Sequence, residues 1–123
     1  MSDLVGLRVK IDYFDQNEDF RKILPRTGTI SKKIIAKNGV DNWYLVILDD
    51  PFEYQIKIGE PFQFKLLHCQ DILIRSRWKD QEIGDTEGTS VFILLIPLEV
   101  SMKEPIDVND FYHVAWGVCS VLR

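Results

Sequence analysis

In Leu7-Arg8-Val9-Lys10-Ile11-Asp12-Tyr13 every odd position is apolar and every even one is charged. A chain with this period of two has one face to bury and one to keep wet, which describes a half-exposed β-strand. The polar run from Asp15 to Asp19 breaks it. A second strand is predicted from Thr27 to Ala36, rich in Thr and Ile, with Pro25 before it and Asn38-Gly39 after it. Asn-Gly tolerates the positive φ angles of a tight hairpin and is the strongest turn signal in the chain.

The pattern continues toward the C-terminus. Trp43 to Leu48 is apolar on both faces and reads as a central strand, closed by Asp49-Asp50-Pro51. Phe52, Tyr54, Ile56 and Ile58 alternate with Glu53, Gln55 and Lys57; after Gly59-Glu60-Pro61 the alternation resumes in Phe62, Phe64 and Leu66. A further strand is expected over Asp71 to Trp78, then a solvated loop carrying Asp80, Glu82, Asp85 and Glu87. Ser90 to Leu98 is again apolar on both faces, with Pro97 expected near the strand end because proline cannot donate to a ladder. From Asp110 to Arg123 two periods compete. Phe111, Val114, Ala115, Val118 and Leu122 make a helical stripe, whereas Tyr112, Val114, Trp116 and Val118 make one face of a strand. Gly117 and the valines favour the strand, with a short helix as the alternative. No repeat, low-complexity tract or linker interrupts residues 1–123, so a single domain is expected. Seven or eight short strands at regular spacing imply an all-β barrel or sandwich.

Three stretches of the first half, Gly6-Leu7-Arg8-Val9-Lys10-Ile11, Thr27-Gly28-Thr29-Ile30 and Trp43 through Pro51, follow one another in a known order. Over residues 5–51 this order resembles the SH3-like small barrels, in the pattern shared by KOW, Tudor and CAP-Gly domains. The resemblance implies a small, strongly bent barrel, with glycines where strands curve and apolar residues inside. The Gly-Lys-Asn-Asp-Gly signature with which CAP-Gly domains hold acidic tails is absent after Pro51, so no functional residue is carried over. The fold expected from residues and resemblance together is an SH3-like barrel extended by additional antiparallel strands.

Composition excludes several classes. The chain has 123 residues and a mass of 14.4 kDa, enough for one real core. A net charge of -4 argues against a protein that holds nucleic acid by neutralising phosphates. The longest apolar run, Val91 to Leu98, is too short to span a bilayer as a helix, and Met1-Ser2-Asp3 does not open a secretory leader. A cytoplasmic location without membrane contact is therefore expected. Cys69 and Cys119 sit among bulky apolar neighbours and read as two free core thiols.

Residues that could carry chemistry are few. His68, Cys69, His113 and Cys119 lack the Cys-x-x-Cys or His-x-x-x-His clip of a structural zinc site. Neither Cys-His pair suits nucleophilic catalysis. His68 and Cys69, adjacent on a strand, face opposite ways, while His113 and Cys119 lie roughly 20 Å apart along one. The acidic loop does not match the ligand spacing of a Ca²⁺ loop. No catalytic residue, metal site or cofactor is predicted.

Arg75, Arg77 and Trp78 form the most binding-like cluster: the two arginines share a strand face, and guanidinium beside indole suits a carboxylate-bearing peptide or a stacked base. A basic wet face of a strand is the plainer explanation. Trp43 and Tyr44, with Phe20, Trp78, Tyr112 and Trp116, are the other candidates, aromatics that a barrel uses either as core or, at its mouth, as a cage for ammonium groups.

The expectation is a non-enzymatic module that binds a protein or peptide or serves in assembly. Two alternatives stand beside it. One is a nucleic-acid-binding barrel working through Arg75, Arg77, Lys79 and Lys32-Lys33, and the other is a small-molecule binder or enzyme whose site is not legible. The two strands that are apolar on both faces raise a further question. One barrel leaves one of those faces uncovered, so either a homodimer or a fold-back of residues 107 to 123 must bury it.

Overall fold

A computed structural model describes residues 4–13, 25–37, 42–58, 63–77, 83–84, 88–98, 104–107 and 112–122. Among the described residues six strands appear: β1 (Arg8–Tyr13), β2 (Arg26–Ile35), β3 (Asn42–Ile58), β4 (Gln63–Ser76), β5 (Thr89–Pro97) and β6 (Tyr112–Val121). Each pairs antiparallel with its neighbour in sequence, and β6 returns to β1, closing a barrel. Closure leaves the wall without an edge strand, the usual liability of an open sheet. The all-β reading holds, and the closed wall is consistent with a small SH3-like barrel. The C-terminal segment is the strand that completes it.

Two long strands replace several short ones. Asp49-Asp50-Pro51 does not end β3; the ladder to β4 is interrupted there, so that Ile47 pairs with Asp71 and Phe52 with Cys69. Residues 48–51 thus face Gln70 alone, and the Gln70 Nε2 donates to the Leu48 carbonyl at 3.3 Å, closing part of the gap. Pro51 fits a bulge because no ladder bond is asked of its nitrogen. Likewise the two strands expected over Phe62–Leu66 and Asp71–Trp78 are, in their described residues, one strand, β4 (Gln63–Ser76). Asn38-Gly39, where the hairpin turn is expected, lies outside the described residues; the β2–β3 pair nearest to it is Ile35 with Asn42.

Alternation fills the lumen. Val9 and Ile11 from β1, Ile30 from β2, Val46 and Leu48 from β3, and Ile72 and Ile74 from β4 are buried together with Val91, Ile93 and Cys119. Narrow points use glycine. A Cβ on Gly28 would stand 2.7 Å from the Ile47 carbonyl oxygen, and one on Gly117 would stand 2.5 Å from that of Asp12.

A second core lies outside the wall. Trp43 and Leu45 alternate with Val46 and Leu48, so they point outward, yet they are buried with Ile34, Leu73, Leu94 and Ile96. Ile106 joins this cluster from the connection between β5 and β6. Its N–H donates to the Ile35 carbonyl (2.9 Å) and its carbonyl accepts from Lys37 N–H (2.8 Å), forming a parallel bridge at Ala36. Apolar residues on both faces of β3 and β5 are therefore covered within one chain. Among the described residues Ile106 supplies cover, and residues 112–121, one of the two alternatives for covering that face, form the wall strand β6.

Candidate functional site

Four strands align a row of side chains on the outer face. The β4–β5 register sets Arg75 opposite Phe92, and the β5–β6 register sets Phe92 opposite Trp116. On the other side, Tyr44 pairs with Ile74, so Trp43 falls beside Arg75 one step further along. Facing positions on neighbouring strands bring side chains into contact. Trp43 meets Phe92 edge-on, with centroids 6.0 Å apart and planes at 63°; Phe92 meets Trp116 at 4.8 Å and 61°. Both are the tilted arrangement that aromatic quadrupoles favour.

The arginines lie on this row. The Arg75 guanidinium carbon stands 5.2 Å from the Trp43 ring centroid and 5.9 Å from that of Phe92. Arg77, two residues on and exposed, stands 4.8 Å from the Trp116 ring centroid. Such stacking is worth about 0.5–2 kcal/mol per contact, least at exposed sites. Trp43 is only 2% exposed and forms the floor, while Arg75, Phe92 and Trp116 are half-buried above and beside it.

Of the residues singled out in sequence, Trp43, Arg75 and Arg77 come together. Tyr44 is turned to the other side and packs against the lumen core. Trp78 lies outside the described residues. Phe92 and Trp116 complete the row; in the sequence Trp116 stands out only as one of the candidate aromatics, and Phe92 does not stand out at all. Strand alternation shows that each has an outward position; only the register across β4, β5 and β6 shows that they meet.

A second polar cluster spans β1, β2 and β3. Arg8 grips Asp49 with both terminal nitrogens, the first at 2.6 Å, and the Thr27 hydroxyl donates to the same carboxylate at 2.6 Å. Hydrogen bonding from Arg8, then from Thr27, holds the Asp49 carboxyl well below the usual carboxylate range, and Arg8 is raised in turn. Arg26 lies over the Phe52 ring at 5.1 Å and donates to the Asp50 carbonyl at 3.2 Å. These groups answer one another across the bulge, and the cluster reads as a clasp.

Both thiols are closed off from solvent. Cys69 and Cys119 form no disulfide and are buried in the lumen, and burial pushes the Cys119 thiol up to about 12. A thiol so rarely ionised is a poor nucleophile and metal ligand. His68 is exposed beside Glu53, with Nδ1 3.4 Å from the carboxylate, while Cys69 points inward. Among the described residues no three His, Cys, Asp or Glu side chains gather as a metal site would require. Nor, among them, is any helix long and apolar enough to cross a membrane.

No protein-family model, curated protein or solved structure matches this chain. The functional reading therefore stands on the chain's own residues.

Proposed function

We propose that this barrel is a non-enzymatic binding module that recognises a protein or peptide partner in the cytoplasm, and that the Arg75–Trp116 face is its recognition surface. The observation that carries the reading is the pair of guanidinium groups laid over a continuous aromatic row, with Arg77 exposed at its rim. Arginine and aromatic side chains anchor protein interfaces because they offer large contact area with fixed, directional donors. The row stands on four hydrogen-bonded strands, so its geometry costs little to organise on binding.

Selection of a random peptide library against the barrel tests this, with the Arg77→Ala/Trp116→Ala double variant as counter-target. Peptides should be enriched on the parent and lost on the variant. Equal enrichment on both would remove this face from the proposal. Preferential, salt-sensitive capture of single-stranded RNA would replace it with a nucleic-acid reading, which the net charge of -4 opposes.

A further inference from the structure

The outer face of the sheet changes character beside the second core. Leu45, Leu73 and Leu94 face one another across β3, β4 and β5 and are buried; the next outward row holds Ile47, Asp71 and Ile96. The register pairs Ile47 with Asp71 and Asp71 with Ile96, so the carboxylate stands between two isoleucines at contact distance. Leu98, two residues beyond Ile96 and outward like it, donates its backbone N–H to the His68 carbonyl at 2.8 Å and borders the same corner. Exposure rises across this step: Leu45 is 6% exposed, Ile47 41% and Leu98 61%.

Two carboxylates of β3 at this end are answered within the chain. Asp49 is held by Arg8 and Thr27, and Glu53 stands 3.4 Å from His68. Asp71 is half-buried, and among the described residues its side chain has neither an ion pair nor a hydrogen-bond partner. Burial pushes its carboxyl above the ordinary range, the mark of a charge that has lost water and gained nothing in return. Apolar neighbours that exclude water also strengthen its attraction for a cation. The complement of this corner is therefore an ammonium or guanidinium flanked by apolar side chains, which would cover Ile47 and Leu98 while the cation meets Asp71.

We propose that Ile47, Asp71 and Leu98 form a docking surface for a segment of a partner protein that presents a lysine or arginine between apolar side chains. This goes beyond the recognition face proposed above. Asp71 and Arg75 share a strand face but lie four residues, roughly 13 Å, apart, with the buried Leu73 between them.

Acetylated, amidated peptides of the form Leu-Ser-X-Ser-Leu, with X as Lys, Arg or Gln, test it, because alternate residues of an extended segment share one face. The readout is the δ-methyl signal of Ile47 by NMR, assigned by its loss in Ile47→Val. The Lys peptide, the Arg peptide or both should move it saturably, and the Gln peptide should bind about tenfold more weakly, as expected for losing a charge-assisted contact. Asp71→Asn should abolish that preference. Its melting temperature should not fall, since a half-buried carboxylate without an internal partner contributes only its desolvation cost.

A lowered melting temperature in Asp71→Asn would mean that the carboxylate is answered within the chain, and would overturn the proposal. Equal binding of the Lys, Arg and Gln peptides would do the same, as would an Ile47 methyl that stays silent with all three. A preference for the cationic peptides that survives Asp71→Asn would assign it to the net charge of -4 instead and count equally against the surface. The Arg77→Ala/Trp116→Ala variant should bind the Lys peptide as the parent does. Loss of binding there would move the peptide to the recognition face and end this proposal, whereas failure of the library selection would leave it standing.

Discussion

At Gly117 a hydrogen atom is the only side chain the wall admits. A Cβ there would lie 2.5 Å from the Asp12 carbonyl oxygen and 2.7 Å from Ile93 Cδ1, one of them backbone that cannot step aside. Gly117→Ala should therefore destabilise the barrel by about 1–3 kcal/mol through overpacking at the β1–β6 seam. Denaturant melts measure it, and a neutral result would mean that the seam has room to give. Asp49 is the residue whose contribution depends on pH. Its folded pKa lies below the ordinary value, so its stabilisation is present above a pH of about 4 and is lost as pH falls toward the folded value. The stability gap between the parent and Asp49→Asn should be widest near neutrality and close below that point. Because both partners are partly exposed, added salt should narrow it too. A gap that held constant down to pH 2 would show that Asp49 acts through its shape alone.

Among the elements, the connection carrying Ile106 does what no strand of the wall can. Leu45, Leu73 and Leu94 face outward at the middle of the sheet and are buried because something lies over them. Ile106 is 3% exposed and is tied to the end of β2 through two backbone hydrogen bonds. Ile106→Ala should cost about 2–5 kcal/mol, the range for truncating a large buried aliphatic chain. The amide of Lys37 should then exchange with solvent much faster, while wall amides such as that of Ile30 should speed up only by the global loss of stability. If Lys37 keeps its protection, the bridge at Ala36 is held by other contacts. The bulge at residues 48–51 plays the converse part: it lets one strand serve both the barrel wall and the ribbon that β3 and β4 make beyond it.

For the molecule as a whole, the two cores change what is expected of its assembly. A barrel with an uncovered apolar face would call for a second copy, but here that face is closed by the same chain. The large apolar side chains that remain exposed away from Asp71, such as Ile35 and Leu66, come from different strands, as single surface residues do. Light scattering at micromolar concentration should return 14.4 kDa and keep it on tenfold dilution. Twice that mass would mean that pairing has a source other than the faces of β3 and β5.

Alternation alone determined that this chain is all-β: Leu7–Tyr13 and Phe52–Ile58 cannot bury their apolar residues in any helix. It also placed Trp43 in a core and Pro97 at a strand end, because both follow from local chemistry. Local chemistry could not show that Asp49-Asp50-Pro51 is a bulge, since turn and bulge use the same residues and differ only in what the partner strand does. Arg75, Arg77 and Trp43 were visible as candidates one by one. Their meeting with Phe92 and Trp116 depends on the register of β3 through β6. Register is a relation between distant segments, set by the packing of both faces at once, and no single stretch of sequence contains it.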